Sequence, residues 1–243
     1  LGFQTTARTT TRGKPAQKMT LRVEPQSVEL LTVLNKPHAQ DNVNFWQESM
    51  TALSAGVIHV QPRTLIQRNE SHTQGMQKLV ADIGTKNFII CDYDTAIICK
   101  NWDKILAFLL NQYRATGTAY PRNYGKYTDF PTLFFSAWDA KTWQDANPDL
   151  RSEAPYDPSL PNYSRLTAPD IGNALPTYYR DHPSYAWEVG EHPLETYFVY
   201  DLPFVTHLGR GSRREFKTHP KSIAWSRAVK DIIRTSSAVS LRA

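Results

Sequence analysis

Four apolar residues, Phe88-Ile89-Ile90-Cys91, run directly into two carboxylates, Asp92 and Asp94, set one residue apart. The run follows Asn87, is rich in β-preferring side chains and is too short for a useful helix. It therefore reads as an interior strand of a parallel sheet. The acid pair then falls at the carboxyl end of that strand, where open α/β sheets bind their ligands. Carboxylates this close repel one another, and a site that keeps both ionised holds a cation beside them. The plainer alternative has Asp92 opening a turn and Asp94 capping the next segment. On the residues alone, both readings stay open.

The flanking chain supplies the rest of an α/β domain. Val28 to Leu34 predicts a first strand, ended by Asn35-Lys36-Pro37. Asp41 or Asn42 is placed to cap a helix whose apolar side carries Phe45, Trp46, Met50 and Leu53, and Gly56 stops it. Val57 to Val60 gives the next strand, with Pro62 expected to bar its continuation in a central position. Strand, helix and parallel strand make one βαβ unit. A second helix through Leu79, Val80 and Ile83 ends at Gly84, just before the strand at Phe88. Beyond the acids, Ile105, Leu106, Phe108, Leu109 and Leu110 predict a helix over Trp102 to Tyr113. Thr116 to Pro121 follows as a short strand or loop.

From Arg122 to Arg180 prolines alternate with aromatic and polar residues, with one helix expected over Ala140 to Asp145. Irregular stretches of this length inside a domain serve as lids and binding loops. Tyr197 to Tyr200 and Phe204 to His207 are strand material around Pro203. Gly209 to Arg214 is a basic loop, and a last amphipathic helix spans Ser222 to Ile233.

With 243 residues, 40% of them hydrophobic, and no evident linker, the chain predicts one packed domain after a Thr-rich basic segment over residues 1 to 20. A net charge of +5 favours phosphate-bearing partners. Without a basic-aromatic pattern it does not argue for a specific nucleic-acid partner. Cys91 and Cys99 are the two cysteines, too few for a disulfide scaffold and not in zinc spacing, so packing is their expected role. The chain reads as intracellular and cytoplasmic. No apolar run approaches the ~20 residues of a membrane span, which leaves at most peripheral membrane contact. It starts at Leu1 rather than methionine, as a fragment would.

Taken together, four features resemble the GT-A fold nucleotide-sugar glycosyltransferases, closest to the family 2-like enzymes. They are the βαβαβ order leading to the mid-chain acids, and His72-Thr73-Gln74-Gly75 opening a helix before them. Asn101-Trp102-Asp103 at a helix start is the third. The last is Asp170-Ile171-Gly172, with Ile171 where the family has threonine, followed by the run Val205-Thr206-His207-Leu208-Gly209-Arg210-Gly211-Ser212. The resemblance implies a GT-A, Rossmann-like, mainly parallel sheet flanked by helices, with an irregular acceptor side. Residues 21–121 would form the nucleotide-binding half and 122–243 the acceptor half.

The activity implied is metal-dependent transfer of a sugar from a nucleoside diphosphate-sugar donor to a glycan or other hydroxyl acceptor, with inversion. Asp94 would bind the metal directly, and Asp92 would hold the ribose or a metal-bound water. His207 would be the third protein contact; without the resemblance it is an ordinary strand-end histidine. Mn²⁺ or Mg²⁺ suits the carboxylates, and an imidazole tilts the choice to Mn²⁺. Asn35, Arg68, Arg210 and Arg213 would join Asp92 around the donor, although Arg210, Arg213 and Arg214 also fit a solvated basic turn. Asp170 is the expected general base, with Glu188 and Glu191 in reserve; as a residue after Pro169 it equally suits a turn or helix cap. Trp138, Trp143, Tyr156, Tyr178, Tyr179, Tyr185 and Trp187 could stack on sugar rings or simply fill the core.

Two other readings compete. Ile90-Cys91-Asp92-Tyr93-Asp94-Thr95 resembles the nucleophile strand of haloacid dehalogenase-like phosphatases, with Asp92 attacking phosphorus and Asp94 as acid/base. Ala96 departs from that pattern, and no later acid pair completes a magnesium site. The third reading is a relative that binds a nucleotide or glycan without turnover.

Overall fold

A computed structural model of the chain describes residues 25–34, 40–66, 71–120, 129–151, 171–172, 174–190, 195–208 and 219–240. The amino-terminal part holds strand β1 (Gln26–Leu34), helix α1 (Gln40–Leu53), strand β2 (Ile58–Ile66), helix α2 (His72–Val80) and strand β3 (Asn87–Cys91). The middle holds β4 (Thr95–Ile97), α3 (Trp102–Gln112), β5 (Ala115–Thr118), β6 (Phe135–Asp139) and α4 (Ala140–Ala146). The remainder holds α5 (Leu175–Tyr178), β7 (Ser184–Gly190), β8 (Glu195–Val199), β9 (Leu202–His207) and α6 (Pro220–Ser240).

The strands form one nine-stranded sheet in the order β2-β1-β3-β6-β5-β7-β8-β9-β4. β1 pairs in parallel with both β2 and β3, as the βαβαβ reading requires. The sheet as a whole is mixed rather than mainly parallel. β5–β7 is the third parallel pairing, and β3–β6, β5–β6, β7–β8, β8–β9 and β4–β9 are antiparallel. Short turns cause part of the difference. At the β8–β9 hairpin, Tyr200 and Asp201 take φ of 48° and 65°, the left-handed pair that tight hairpins require.

Each face of the sheet carries its own core. Val28, Leu30, Ile89 and Cys91 pack with side chains of α1, α3 and α6, while Leu31, Val33, Phe88 and Ile90 pack with α2 and α4. β3 is thus buried on both faces, which is why its sequence is a continuous apolar run. Pro62 does not end β2; the strand continues to Ile66 with Pro62 opposite Leu30. β2 lies at the edge of the sheet, where a missing N–H costs no ladder bond. α1 begins at Gln40, so the backbone of Asp41 and Asn42 lies inside the helix rather than capping it.

Two motifs of the sequence reading have structural duties. Asn101 takes φ 58°, and its N–H donates to the carbonyl of Leu53. Trp102 Nε1 donates to the carbonyl of Met50. Asp103 is fully buried and accepts hydrogen bonds from Ser54 Oγ and the N–H groups of Ala55 and Val57 at 2.7–2.8 Å. The three residues thus clamp the start of α3 to the end of α1. At α2, Ser71 and Gln74 form a reciprocal capping box. A Cβ on Gly75 would lie 3.1–3.2 Å from Leu65 and Val33, so this glycine lets the helix sit close to β1 and β2.

Candidate metal centre

The carboxyl end of β3 lies inside the sheet, between β1 and β6. The Asp92 N–H donates to the Phe134 carbonyl at 2.7 Å, and the Asp92 carbonyl accepts from the Thr95 N–H at 3.2 Å. This tight turn carries the chain from β3 into β4. β4 pairs antiparallel with β9, which sets Thr95 opposite His207, and the Leu208 N–H donates to the Asp94 carbonyl. Backbone pairing therefore fixes His207 against Asp94.

Asp92, Asp94 and His207 each offer one ligand atom, and these atoms lie within 4.8 Å of one another. His207 Nε2 is 3.3 Å from Asp94 Oδ1. Asp94 is 4% exposed and His207 6%, whereas Asp92 is half-buried, so the cluster opens on the Asp92 side. The other imidazole nitrogen, Nδ1, is 3.0 Å from Glu195 Oε1. The same oxygen accepts from Tyr197 Oη at 2.6 Å. The Phe134 ring stacks on the imidazole with centroids 4.7 Å apart and planes 19° from parallel.

The electrostatics follow from this packing. Burial alone would push the His207 pKa down, but Asp94 and Glu195 outweigh it and hold the imidazole well above its ordinary value. Burial would raise the Glu195 carboxyl, yet the His207 and Tyr197 donors bring it below the usual carboxylate range. Cys91 is pushed well up by burial and then by the two aspartates, and Cys99 is raised to about 11 by burial, so both remain inert thiols. Two hard carboxylate oxygens and one borderline imidazole nitrogen around a common point make a donor set that fits Mn²⁺ and, less well, Mg²⁺.

The other residues named from the sequence are not gathered here. Glu188 is exposed on β7, opposite Phe198, and strand alternation turns it to the face away from Val189, Tyr197 and Val205. Asn35, Arg68, Asp170, Glu191, Arg210, Arg213 and the segment 1–20 lie outside the described residues. Beside Asp170, Gly172 has φ 78° and its N–H donates to the Leu150 carbonyl. A Cβ there would come within 3.0 Å of Leu175 and Leu133 side chains. Among the aromatics, Trp138, Trp143, Tyr179 and Trp187 are buried core residues, Tyr178 and Tyr185 are half-buried, and Tyr156 is outside the described residues. Glu195, Tyr197 and Phe134 were not legible as site residues. A Glu and a Tyr at alternate positions one hairpin before His207 is the only trace the sequence carries.

No family model matches the chain, and no curated protein matches it by sequence. Solved structures do match. The glycosyltransferase GlyE from Streptococcus pneumoniae TIGR4 aligns over 89% of this chain and 64% of its own, with 11% identity and a TM-score of 0.51. A mannosyltransferase from Pyrobaculum calidifontis, solved with GDP-Man and Mn²⁺, aligns over 67% of this chain and 55% of its own at 7% identity and a TM-score of 0.44. TarS residues 1–349 from S. aureus align over 73% and 60%, again at 7% identity and 0.44. The chain thus spans less than two thirds of each of these proteins. No helix among the described residues is long and apolar enough to cross a membrane. With its two-faced core, its acids at the end of an interior strand and its likeness to GlyE, the chain has a GT-A-like glycosyltransferase fold.

Proposed function

We propose that the chain is a metal-dependent glycosyltransferase that moves a sugar from a nucleoside diphosphate-sugar to an acceptor hydroxyl. The observation that carries this reading is the convergence of Asp92, Asp94 and His207 at the carboxyl end of an interior strand in a GT-A-like fold. A divalent ion bound there supplies Lewis-acid stabilisation of the charge that grows on a departing diphosphate. Asp94 and His207, buried and fixed by strand pairing, are suited to hold it. Asp92, on the open side, is suited to a donor hydroxyl or a metal-bound water. Arg68, Arg210, Arg213 and Asn35 are proposed for the rest of the donor. Asp170 is the proposed base for the acceptor proton, with inversion as the outcome, and Glu191 stands behind it.

Thermal unfolding across a panel of nucleoside diphosphates, with and without Mn²⁺, tests the proposal. Ligand binding to the folded state raises the melting temperature. The expected result is a rise for at least one diphosphate that disappears with chelator. A rise with the same nucleotide that ignores the metal contradicts it. Turnover of a phosphomonoester such as p-nitrophenyl phosphate, in place of a sugar nucleotide, would move the chain to the phosphatase reading.

A further inference from the structure

We propose that Glu195 is a positioning residue for the metal site, holding His207 at Nδ1 so that Nε2 faces Asp94 and Asp92. The inference rests on the metal reading above and adds to it a residue outside the ligand set. An imidazole presents two chemically distinct nitrogens, and whichever one is engaged as a donor decides which is left to bind a metal. Rotation of the ring by half a turn would put a ring carbon in the place of each nitrogen and withdraw the ligand atom from the acids.

The structure blocks that rotation from several sides. The β8–β9 register sets Glu195 opposite His207, so the two side chains share one face of the sheet. Glu195 Oε1 is 3.0 Å from Nδ1, and an ionised carboxylate can only accept, which makes Nδ1 the protonated nitrogen. Tyr197, two residues along the same strand, donates to that same oxygen at 2.6 Å and keeps the carboxylate in place. The Glu195 carbonyl is tied by Thr206 Oγ1 at 3.0 Å, and Trp225 Nε1 donates to that hydroxyl at 3.2 Å. Phe134 fixes the plane of the ring by stacking on it. Nε2 is then left aimed at Asp94 Oδ1, 3.3 Å away. A carboxylate behind a metal-binding histidine also makes that histidine a stronger ligand.

The test is Mn²⁺ binding by calorimetry and electron paramagnetic resonance, with ¹⁵N NMR of the His207 ring in the metal-free protein. Glu195→Ala should weaken Mn²⁺ binding about ten- to a hundredfold and free the hydrogen-bonded Nδ1–H expected for the wild-type ring. Glu195→Gln keeps an acceptor oxygen at the same place and should restore most of the affinity. A loss of general structure would not be rescued in this way. If Glu195→Ala does not fold, Glu195→Gln and Tyr197→Phe carry the test. Tyr197→Phe removes only the second hold on Oε1, so it should give a smaller loss in the same direction. Wild-type affinity in Glu195→Ala, or in Tyr197→Phe where that variant carries the test, overturns the inference if Asp94→Asn still weakens binding. A wild-type protein that binds no Mn²⁺ overturns the metal reading and this inference together.

Discussion

Asp94 and His207 come from positions far apart in the chain, yet each contributes one atom to the same small volume. Replacing Asp94 with Asn keeps its size and removes the charge that balances a cation. Mn²⁺-dependent nucleotide binding should fall about ten- to a hundredfold, corresponding to roughly 1.5–3 kcal/mol for a lost charge-assisted contact. His207→Ala should lose a similar amount. Calorimetry on the double mutant should show less than the sum, because both residues act through one ion; strict additivity would mean two separate effects. Asp103 is the contrasting acid, with a purely structural task. Burial opposes its ionisation, but donors from Ala55, Ser54, Val57 and Ile58 outweigh it and lower its pKa. A carboxylate depressed in the folded state gives stability that is complete above its unfolded pKa, about 3.9, and that drains away as pH falls through the folded value. Urea unfolding of Asp103→Asn should therefore show a loss at neutral pH of about 1.5–3 kcal/mol that narrows towards the acid end. A loss independent of pH would count against this account.

Elements differ in how openly the sequence declares them. α3 was legible to within a residue because its apolar face repeats at helical spacing, and β3 because burial on both faces made it uniformly apolar. β4 and β6 were not. β4 has three residues, too few for any period to show, and β6 (Phe-Ser-Ala-Trp-Asp) mixes polar and apolar side chains although every residue is buried. Ser136 and Asp139 explain the mixture there, since the Ser136 hydroxyl accepts from Trp138 Nε1 and the Asp139 carboxylate accepts from the N–H and hydroxyl of Thr142. β5 hides a further requirement. A Cβ on Gly117 would stand 2.5–2.6 Å from the Phe135 carbonyl and from Ser136, and backbone atoms cannot swing aside. Gly117→Ala should push β5 from β6 and cost about 1–3 kcal/mol, with amide exchange accelerated at β5 and β6 ahead of β1 and β2. Uniform acceleration across the sheet would place the strain elsewhere.

At the scale of the molecule, the topology up to β3 followed from the strand–helix rhythm; beyond it α3, α4, β8, β9 and α6 were legible as elements, but the pairing of the strands was not. Antiparallel pairings bring β6 beside β3 and β9 beside β4, and such partnerships leave no local mark in the chain. The same holds for the site. The acids were visible as a motif, His207 only through resemblance, and Glu195 not at all, because register across a hairpin is invisible to spacing along a sequence.

The β4–β9 pairing also has a temporal consequence. It joins the two ends of a chain segment on the order of a hundred residues long, and closure of such a loop costs entropy before any contact repays it. Folds dominated by distant pairings form slowly. The acids can reach their places with the amino-terminal half, but the imidazole arrives only when β9 docks. During synthesis the proposed ligand set is therefore complete only once β9 has emerged, and a nascent chain halted before β9 carries the acid pair without its nitrogen donor. Under the metal reading, competence to bind the ion would report that the β4–β9 pairing has formed.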